Sequence, residues 1–404
     1  MKRWKKIGIT VLSVFVVVLI FAGLQRLVCP KYADDVLEGN FTSEYYEETT
    51  DHDVIMVGDC EVYENIDPMY LWKNYGITSY IRGNAQQLTW QSYYMLEDTL
   101  RYETPKVVIY NIQALTHAEP QKEEYNRMTL DGMKWSKTKY QAIQTSMCKG
   151  EKTLDYVFPI LRYHSRILDL SKNDITYYWN NRKVTHNGYY MRIDVLPASQ
   201  SDVADTEWLL GDGKEKEEEE NIDDPWGDIE DPWSDVDADT EDMATEIEEP
   251  DDNLAKDSKE GETFGKLPMQ YLDKMRKLCE EKGIQLILMK APSLAPEWYE
   301  SDEEQVVAYA EKYQLPYINF YELLEETGID YETDTYDGGL HMNLNGAEKL
   351  SEYLGKVLTE EYKVPDRRSD SKLSEVYQKK YQFYEDMKKE QQKELDKYGK
   401  IVSY

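Results

Sequence analysis

The sequence predicts an α/β fold, with about five parallel strands in one sheet and helices on both faces. Three observations carry this. Short apolar runs recur at residues 54–57, 106–112 (KVVIYNI) and 284–289, a length suited to buried parallel strands. Segments with apolar residues at helical spacing alternate with them through short connections. The first run stops at Gly58, with Asp59 and Cys60 next, and a late histidine, His341, precedes a helix start. Open α/β sheets hold their chemistry at the C-terminal edge of the strands, where a residue such as Cys60 would lie.

The N-terminus comes before the sheet. Residues 7–24 are eighteen positions without a charge, about 27 Å of helix and near the hydrocarbon thickness of a bilayer. Lys2, Arg3, Lys5 and Lys6 precede them, so the positive-inside rule sends everything after Arg26 outside. The run ends without a small-x-small cleavage site, and residues 1–30 are read as an uncleaved signal anchor. Val28 stands before Cys29 where a lipoprotein signal needs a small residue, so lipidation is not expected. The polar stretch 31–50 is read as a tether.

Residues 51–199 form the first part of the domain. Strand one is at 54–57. A short helix at 68–75 has Pro68 in its first turn and ends at Gly76. Strand two spans 77–81 and runs into Gly83. Helix 87–102 carries Leu88, Tyr93, Leu96 and Leu100, Pro105 breaks it, and strand three follows at 106–112. Residues 123–171 read as a helical insertion capping one end of the sheet. Residues 177–196 are aromatic and irregular.

Residues 200–262 have too few aliphatic side chains to offset chain entropy and are expected to be disordered. They hold a short repeat, Asp224-Pro225-Trp226 and Asp231-Pro232-Trp233. Asp235, Asp237 and Asp239 have the alternate spacing of a calcium loop, but the central Gly and closing Glu of such a loop are missing, so a solvated acidic loop is the reading. Residues 263–362 form the second part: helix 268–282 with Gly283 as cap, strand four at 284–289, helix 302–313, strand five at 316–320 and helix 345–361. Ala291-Pro292-Ser293 leaves strand four at the same edge as Cys60. Residues 363–404 alternate charges with Tyr and Leu and read as a helical tail lying on the domain or on a partner.

Net charge is -32, but residues 202–262 contribute 27 acidic side chains against 4 lysines, or -23, which leaves -9 for the rest. No basic patch of useful size follows the first few residues, and nucleic acid is excluded as a partner. Cys29, Cys60, Cys148 and Cys279 are too sparse for a disulfide framework, and their spacing fits no zinc site. A Cys148–Cys279 bridge is left open. His52, His117, His164 and His186 lack paired metal spacing and are read as structural, as is Glu61 in its turn; no metal or cofactor is expected.

Gly58-Asp59-Cys60 after strand one and Asp337-Gly338-Gly339-Leu340-His341 before the last sheet-covering helix are the parts of an acyl-transfer triad. On these blocks, with Gly83 in RGNAQQ and Asn111 at the end of strand three, the chain resembles the SGNH/GDSL hydrolases. It looks closer to their membrane-anchored extracytoplasmic members, related to the D-alanyl-lipoteichoic-acid protein and the alginate O-acetyltransferases. The resemblance implies a flavodoxin-like three-layer sandwich and an extracytoplasmic esterase or O-acyltransferase. The implied substrates are a cell-envelope polysaccharide or teichoic-type polymer and an acyl donor, with a membrane O-acyltransferase as a candidate partner. It implies Cys60 as nucleophile in place of the usual Ser, His341 as base and Asp337 as its orienting acid, with Asp334 as fallback because the loop is one residue longer than Asp-x-x-His. The oxyanion donors would be the Cys60 and Gly83 backbone N–H groups and the Asn111 amide. The alternative is a catalytically inactive member that binds envelope polymer or a partner protein.

One prediction needs composition alone. Deleting residues 200–262 and joining the ends with a short linker should leave the thermal midpoint nearly unchanged; loss of cooperative unfolding in calorimetry would show that the segment packs.

Overall fold

The computed structural model describes residues 2–30, 36–120, 122–172, 174–176, 183–200 and 261–402. The expected disordered segment and its Asp-Pro-Trp repeats therefore lie outside the described residues, apart from a few at its ends. Strands β1 (Val54–Gly58), β2 (Ser79–Gly83), β3 (Val107–Asn111), β4 (Gln285–Lys290) and β5 (Tyr317–Asn319) form one sheet in the order β2-β1-β3-β4-β5. Every pairing is parallel. The numbered helices are α1 (Lys2–Val28), α2 (Cys60–Tyr63), α3 (Pro68–Tyr75), α4 (Thr89–Thr99), α5 (Glu123–Leu130), α6 (Lys137–Ser146), α7 (Thr153–Val157), α8 (Pro159–Tyr163), α9 (Lys266–Lys282), α10 (Glu300–Tyr313), α11 (Leu344–Glu360) and α12 (Ser371–Tyr398).

The strands are apolar on both faces because both are covered. Val54, Met56, Val107, Ile109, Ile287 and Met289 face one core, shared with α3, α11 and α12. Ile55, Val57, Val108, Tyr110, Leu286 and Leu288 face the other, shared with α4, α9 and α10. The result is three layers. β2 starts two residues later than the apolar run suggests. Gly76 takes a left-handed φ of 68° to end α3, and Ile77 then donates its N–H to the Leu71 carbonyl at 3.3 Å, so it belongs to the helix cap rather than to the ladder.

Three stretches differ from expectation. The 123–157 segment packs against the outer side of α4 rather than over an end of the sheet. Trp90, Tyr94 and Met95 there meet Leu130, Met133, Ala142, Ile143 and Tyr156, because α4 is apolar on two sides. Residues 37–47, expected as part of a tether, are short helical turns folded onto the domain. Leu37 and Phe41 enter one core, Tyr45 enters the other, and the buried Glu44 carboxylate accepts from Val184 N at 2.7 Å and Thr185 Oγ1 at 2.6 Å. All four cysteines are free thiols, so Cys148 and Cys279 are not bridged.

The C-terminal tail is a 28-residue helix, α12, on the α3 side. Tyr377 stacks on Trp72 with centroids 4.1 Å apart, and Tyr384 donates its hydroxyl to Asp67 Oδ2 at 2.7 Å. At the other end of the chain, Trp4–Val28 of α1 contains an 18-residue window with a mean hydropathy of 2.8 and is long and apolar enough to cross a membrane.

Burial pushes the Asp67 carboxyl up to about 6, against the lowering effect of the Tyr384 hydroxyl. In Tyr384→Phe that donor is lost and the carboxylate becomes harder to ionise. The expected cost is about 1–3 kcal/mol of folding stability above pH 7, where Asp67 is ionised. It shrinks at pH 5, where the folded state holds Asp67 neutral; denaturant midpoints at the two pH values check this.

Candidate active site

β1 delivers Cys60 to the C-terminal edge of the sheet through a turn that only glycine fits. A Cβ on Gly58 would lie 2.5 Å from Val62 Cγ2 and 2.9 Å from Asn111 Cβ. Asp59 caps α2 by accepting from Glu61 N at 3.2 Å, which leaves Cys60 as the first helical residue. Cys60 is partly buried and lines a cavity of about 80 Å³ together with His341. Such a volume is small beside ordinary ligand pockets and admits a small chemical group.

His341 reaches the cavity from the loop before α11. Its Nδ1 lies 2.6 Å from Asp337 Oδ2, and its backbone N donates to Asp337 Oδ1 at 2.8 Å. The loop is one residue longer than Asp-x-x-His, and Gly338 and Gly339 absorb the extra residue with φ of 80° and 108°. Asp334 is turned elsewhere, accepting from Lys349 Nζ at 2.5 Å and from Asp330 N at 2.8 Å. Asn65 ties the parts together: its Oδ1 accepts from Met342 N at 2.7 Å and its Nδ2 donates to Ser293 Oγ at 3.4 Å.

The electrostatics of the pair are set by burial and by carboxylates. Burial pushes the Cys60 thiol up to about 11, against the lowering effect of the charge and hydrogen bond of His341. Burial also lowers the His341 pKa, but Glu64, Cys60 and Asp337 outweigh it and hold the imidazole well above its ordinary range. With Nδ1 committed to Asp337, Nε2 is the ring nitrogen left for the thiol. Glu64 lies 3.6 Å from the same Nδ1 and also accepts from the Tyr336 hydroxyl. Its carboxyl is raised to about 8 by burial, helped by Asp337 and Glu38.

Glu64, Asp337 and His341 present ligand atoms within 4.8 Å of one another, and among the described residues these are the ones that could approach a metal ion. Ligand atoms on one zinc ion stand about 3 Å or more apart. The 2.6 Å between Nδ1 and Oδ2 is a hydrogen-bond distance, so a metal would first have to part them.

Beneath the nucleophile lies a closed polar network. Lys290, fully buried at the end of β4, donates to both Glu61 oxygens at 3.1 and 3.0 Å and to the Ala291 carbonyl at 2.9 Å. Asn111, at the end of β3, donates to Asp59 Oδ1 at 3.1 Å and Glu61 Oε2 at 3.0 Å, and accepts from Ala291 N at 3.2 Å. Both of its amide hydrogens are thus spent inside the network. Gly83 ends β2 opposite Gly58. Neither Asn111 nor Gly83 is among the residues lining the cavity, whereas Gln86, Gln113 and His117 are. Gln113 is 2% exposed, and neither its Nε2 nor its Oε1 has a hydrogen-bond partner.

The structure brings Cys60, His341 and Asp337 together, and it adds residues the sequence reading passed over. Glu64 stands four positions after Cys60, one helical turn on. Gln113 is two positions past Asn111, and His117 was read as structural. Lys290 is a charge closing a strand, QLILMK, whose four preceding residues are apolar, which is itself a signal of a buried partner. A wider open groove of about 680 Å³ runs along α11 among Glu348, Glu352 and Glu360; it shares no lining residue with the Cys60 cavity and holds neither thiol nor imidazole. No protein-family model, curated protein or solved structure matches this chain.

The Lys290–Glu61 pair makes a stability prediction. Lys290→Ala strands a carboxylate in the core and should cost about 3–5 kcal/mol. Lys290→Met combined with Glu61→Leu should recover most of that loss in denaturant unfolding.

Proposed function

We propose that the protein is an SGNH-type esterase or O-acyltransferase using a Cys60–His341–Asp337 triad. The single observation that carries this is the pairing of His341 Nδ1 with Asp337 at 2.6 Å while the same ring lines one cavity with the Cys60 thiol. The strand order β2-β1-β3-β4-β5, with the thiol directly after β1, agrees with a flavodoxin-like sandwich whose chemistry sits at the C-terminal edge. α1 is the anchor in this reading, and the domain works outside the membrane on envelope polysaccharide or a teichoic-type polymer. A membrane O-acyltransferase is the partner that the resemblance adds.

In the proposed reaction, His341 Nε2 takes the thiol proton as Cys60 Sγ bonds to the acyl carbon of an ester. The tetrahedral oxyanion collapses, the ester C–O bond breaks, and His341 returns the proton to the departing alcohol. The product is a thioester on Cys60. An acceptor hydroxyl or water then attacks the thioester carbonyl, His341 takes its proton and returns it to sulfur, and the acyl group leaves with the acceptor. Gln113, which lines the cavity and whose buried Nε2 has no partner, is the side-chain donor this reading assigns to the oxyanion, in place of the spent Asn111 amide. The small cavity suits a short acyl group.

The raised pKa values set the pH dependence. His341 must be neutral to accept the thiol proton, and its pKa lies above the ordinary range, so kcat/KM should rise with pH along a limb above the imidazole value of about 6.5. Asp337→Asn removes a charge that favours the imidazolium and should move that limb to lower pH while cutting turnover by up to about 10⁴-fold. Cys60→Ala and His341→Ala should each cost about 10³-fold or more, and together little more than either. Acyl-ester turnover and labelling by an acyl probe measure these effects. Full turnover in Cys60→Ala would sink the catalytic reading.

A further inference from the structure

We infer that residues 153–168 form a second membrane-contacting surface, which lies in the headgroup and outer acyl region beside α1. The inference rests on reading α1 as a retained anchor. Among the described residues outside α1, the densest run of exposed large hydrophobic side chains falls here: Leu154 is 58% exposed, Phe158 37%, Leu161 52%, Ile167 49% and Leu168 86%. Such a run in water is costly unless something apolar covers it.

The contacts with α1 say what covers it. Phe158 meets Phe21 with ring centroids 6.0 Å apart, and Arg166 Nη1 donates to the Val28 carbonyl at 2.6 Å. Phe21 lies three residues inside the end of the uncharged run at Leu24, about 4.5 Å below its boundary, and seven residues, about 10.5 Å, below Val28. The segment therefore descends along α1, with Arg166 at the level where the anchor leaves the bilayer and Phe158 at the level of the acyl chains. That depth range is the one used by helices that lie in the interface. Arg166 is paired with Asp174 at 3.0 Å and Arg162 with Glu123 at 3.2 Å, so both arginines of the segment are engaged by acids of the chain while the apolar side chains remain uncovered. The apolar surface of α1 thus continues onto α7, α8 and the turn after them, and lipid is the occupant common to both.

The consequence is orientation. Two points of membrane contact fix the domain's tilt, where a single anchor helix alone would let it swing.

The test uses the full chain reconstituted in vesicles of phosphatidylethanolamine and phosphatidylglycerol. A benzophenone amino acid replaces Leu161, Leu168 or, as a control on α10, the exposed Val307. After irradiation, mass spectrometry counts lipid adducts on each variant. Positions 161 and 168 should form them several-fold more than position 307. Equal adduct levels at all three, or adducts at 161 and 168 only to a second protein chain, would overturn the lipid surface. An alkaline carbonate wash of the same vesicles separates the two readings. Release of the chain would overturn the anchor and this inference with it, whereas retention without adducts would overturn this inference alone.

Discussion

The buried pairing of Lys290 with Glu61 is the constraint on which the rest of the site depends. It joins the end of β4 to the turn after β1, and Asn111 joins both to the end of β3. A cation and a carboxylate this deep are tolerated only when each is matched by hydrogen bonds, and here Ala291 and Asn111 supply them. The pair gains little net stability, but its hydrogen bonds tie the three strand ends to one another. Asp59, capping the short helix that begins with Cys60, is bound into the same set through Asn111. The thiol is therefore held by a network whose Asp59 and Glu61 line the same cavity, while Lys290 and Asn111 lie behind them.

The layered fold was legible because its signal is periodic. Apolar runs the length of buried strands, separated by helical spacing, leave few alternatives to a parallel sheet, and the expected strands are found within two residues of their predicted positions. What escaped the reading was decided by tertiary contact. The turns at 37–47 look polar, yet Leu37, Phe41 and Tyr45 are spaced to drop into two different cores. Ile77 looks like strand and serves a helix cap. Cys60, Asp337 and His341 were readable because each sits in a short local block beside a glycine turn. Gln113 and His117 were not, since only the path of the chain after β3 turns them toward the same cavity. Asn111 illustrates the converse: its position at a strand end was readable, but the direction of its amide depends on Asp59 and Glu61 across the sheet.

The imidazole is crowded by acids. Asp337 holds Nδ1, Glu64 lies 3.6 Å from the same atom, and Glu38 is close enough for His341 to lower its pKa. Burial alone would expel the proton from the ring, and the carboxylates reverse that outcome. Glu64 is itself held mostly neutral near pH 7, with its carboxyl at about 8. As His341 gives up a proton, Glu64 becomes harder to ionise. The two groups therefore titrate as a unit, and a change to either one moves the other.

Burial gives the proposed nucleophile a particular character. A thiol raised to about 11 is almost wholly protonated at neutral pH, and protonated thiols are oxidised slowly. That matters for a domain read as facing an oxidising exterior. In the proposed mechanism the thiolate need exist only during attack, when His341 takes the proton and the acyl carbon takes the sulfur lone pair. The driving force then comes from stabilising charge on the bound ester rather than from a standing thiolate. This places the weight of catalysis on the oxyanion side of the cavity. Gln113, which lines the cavity and whose buried amide has no hydrogen-bond partner, is the side chain the proposal assigns to that task.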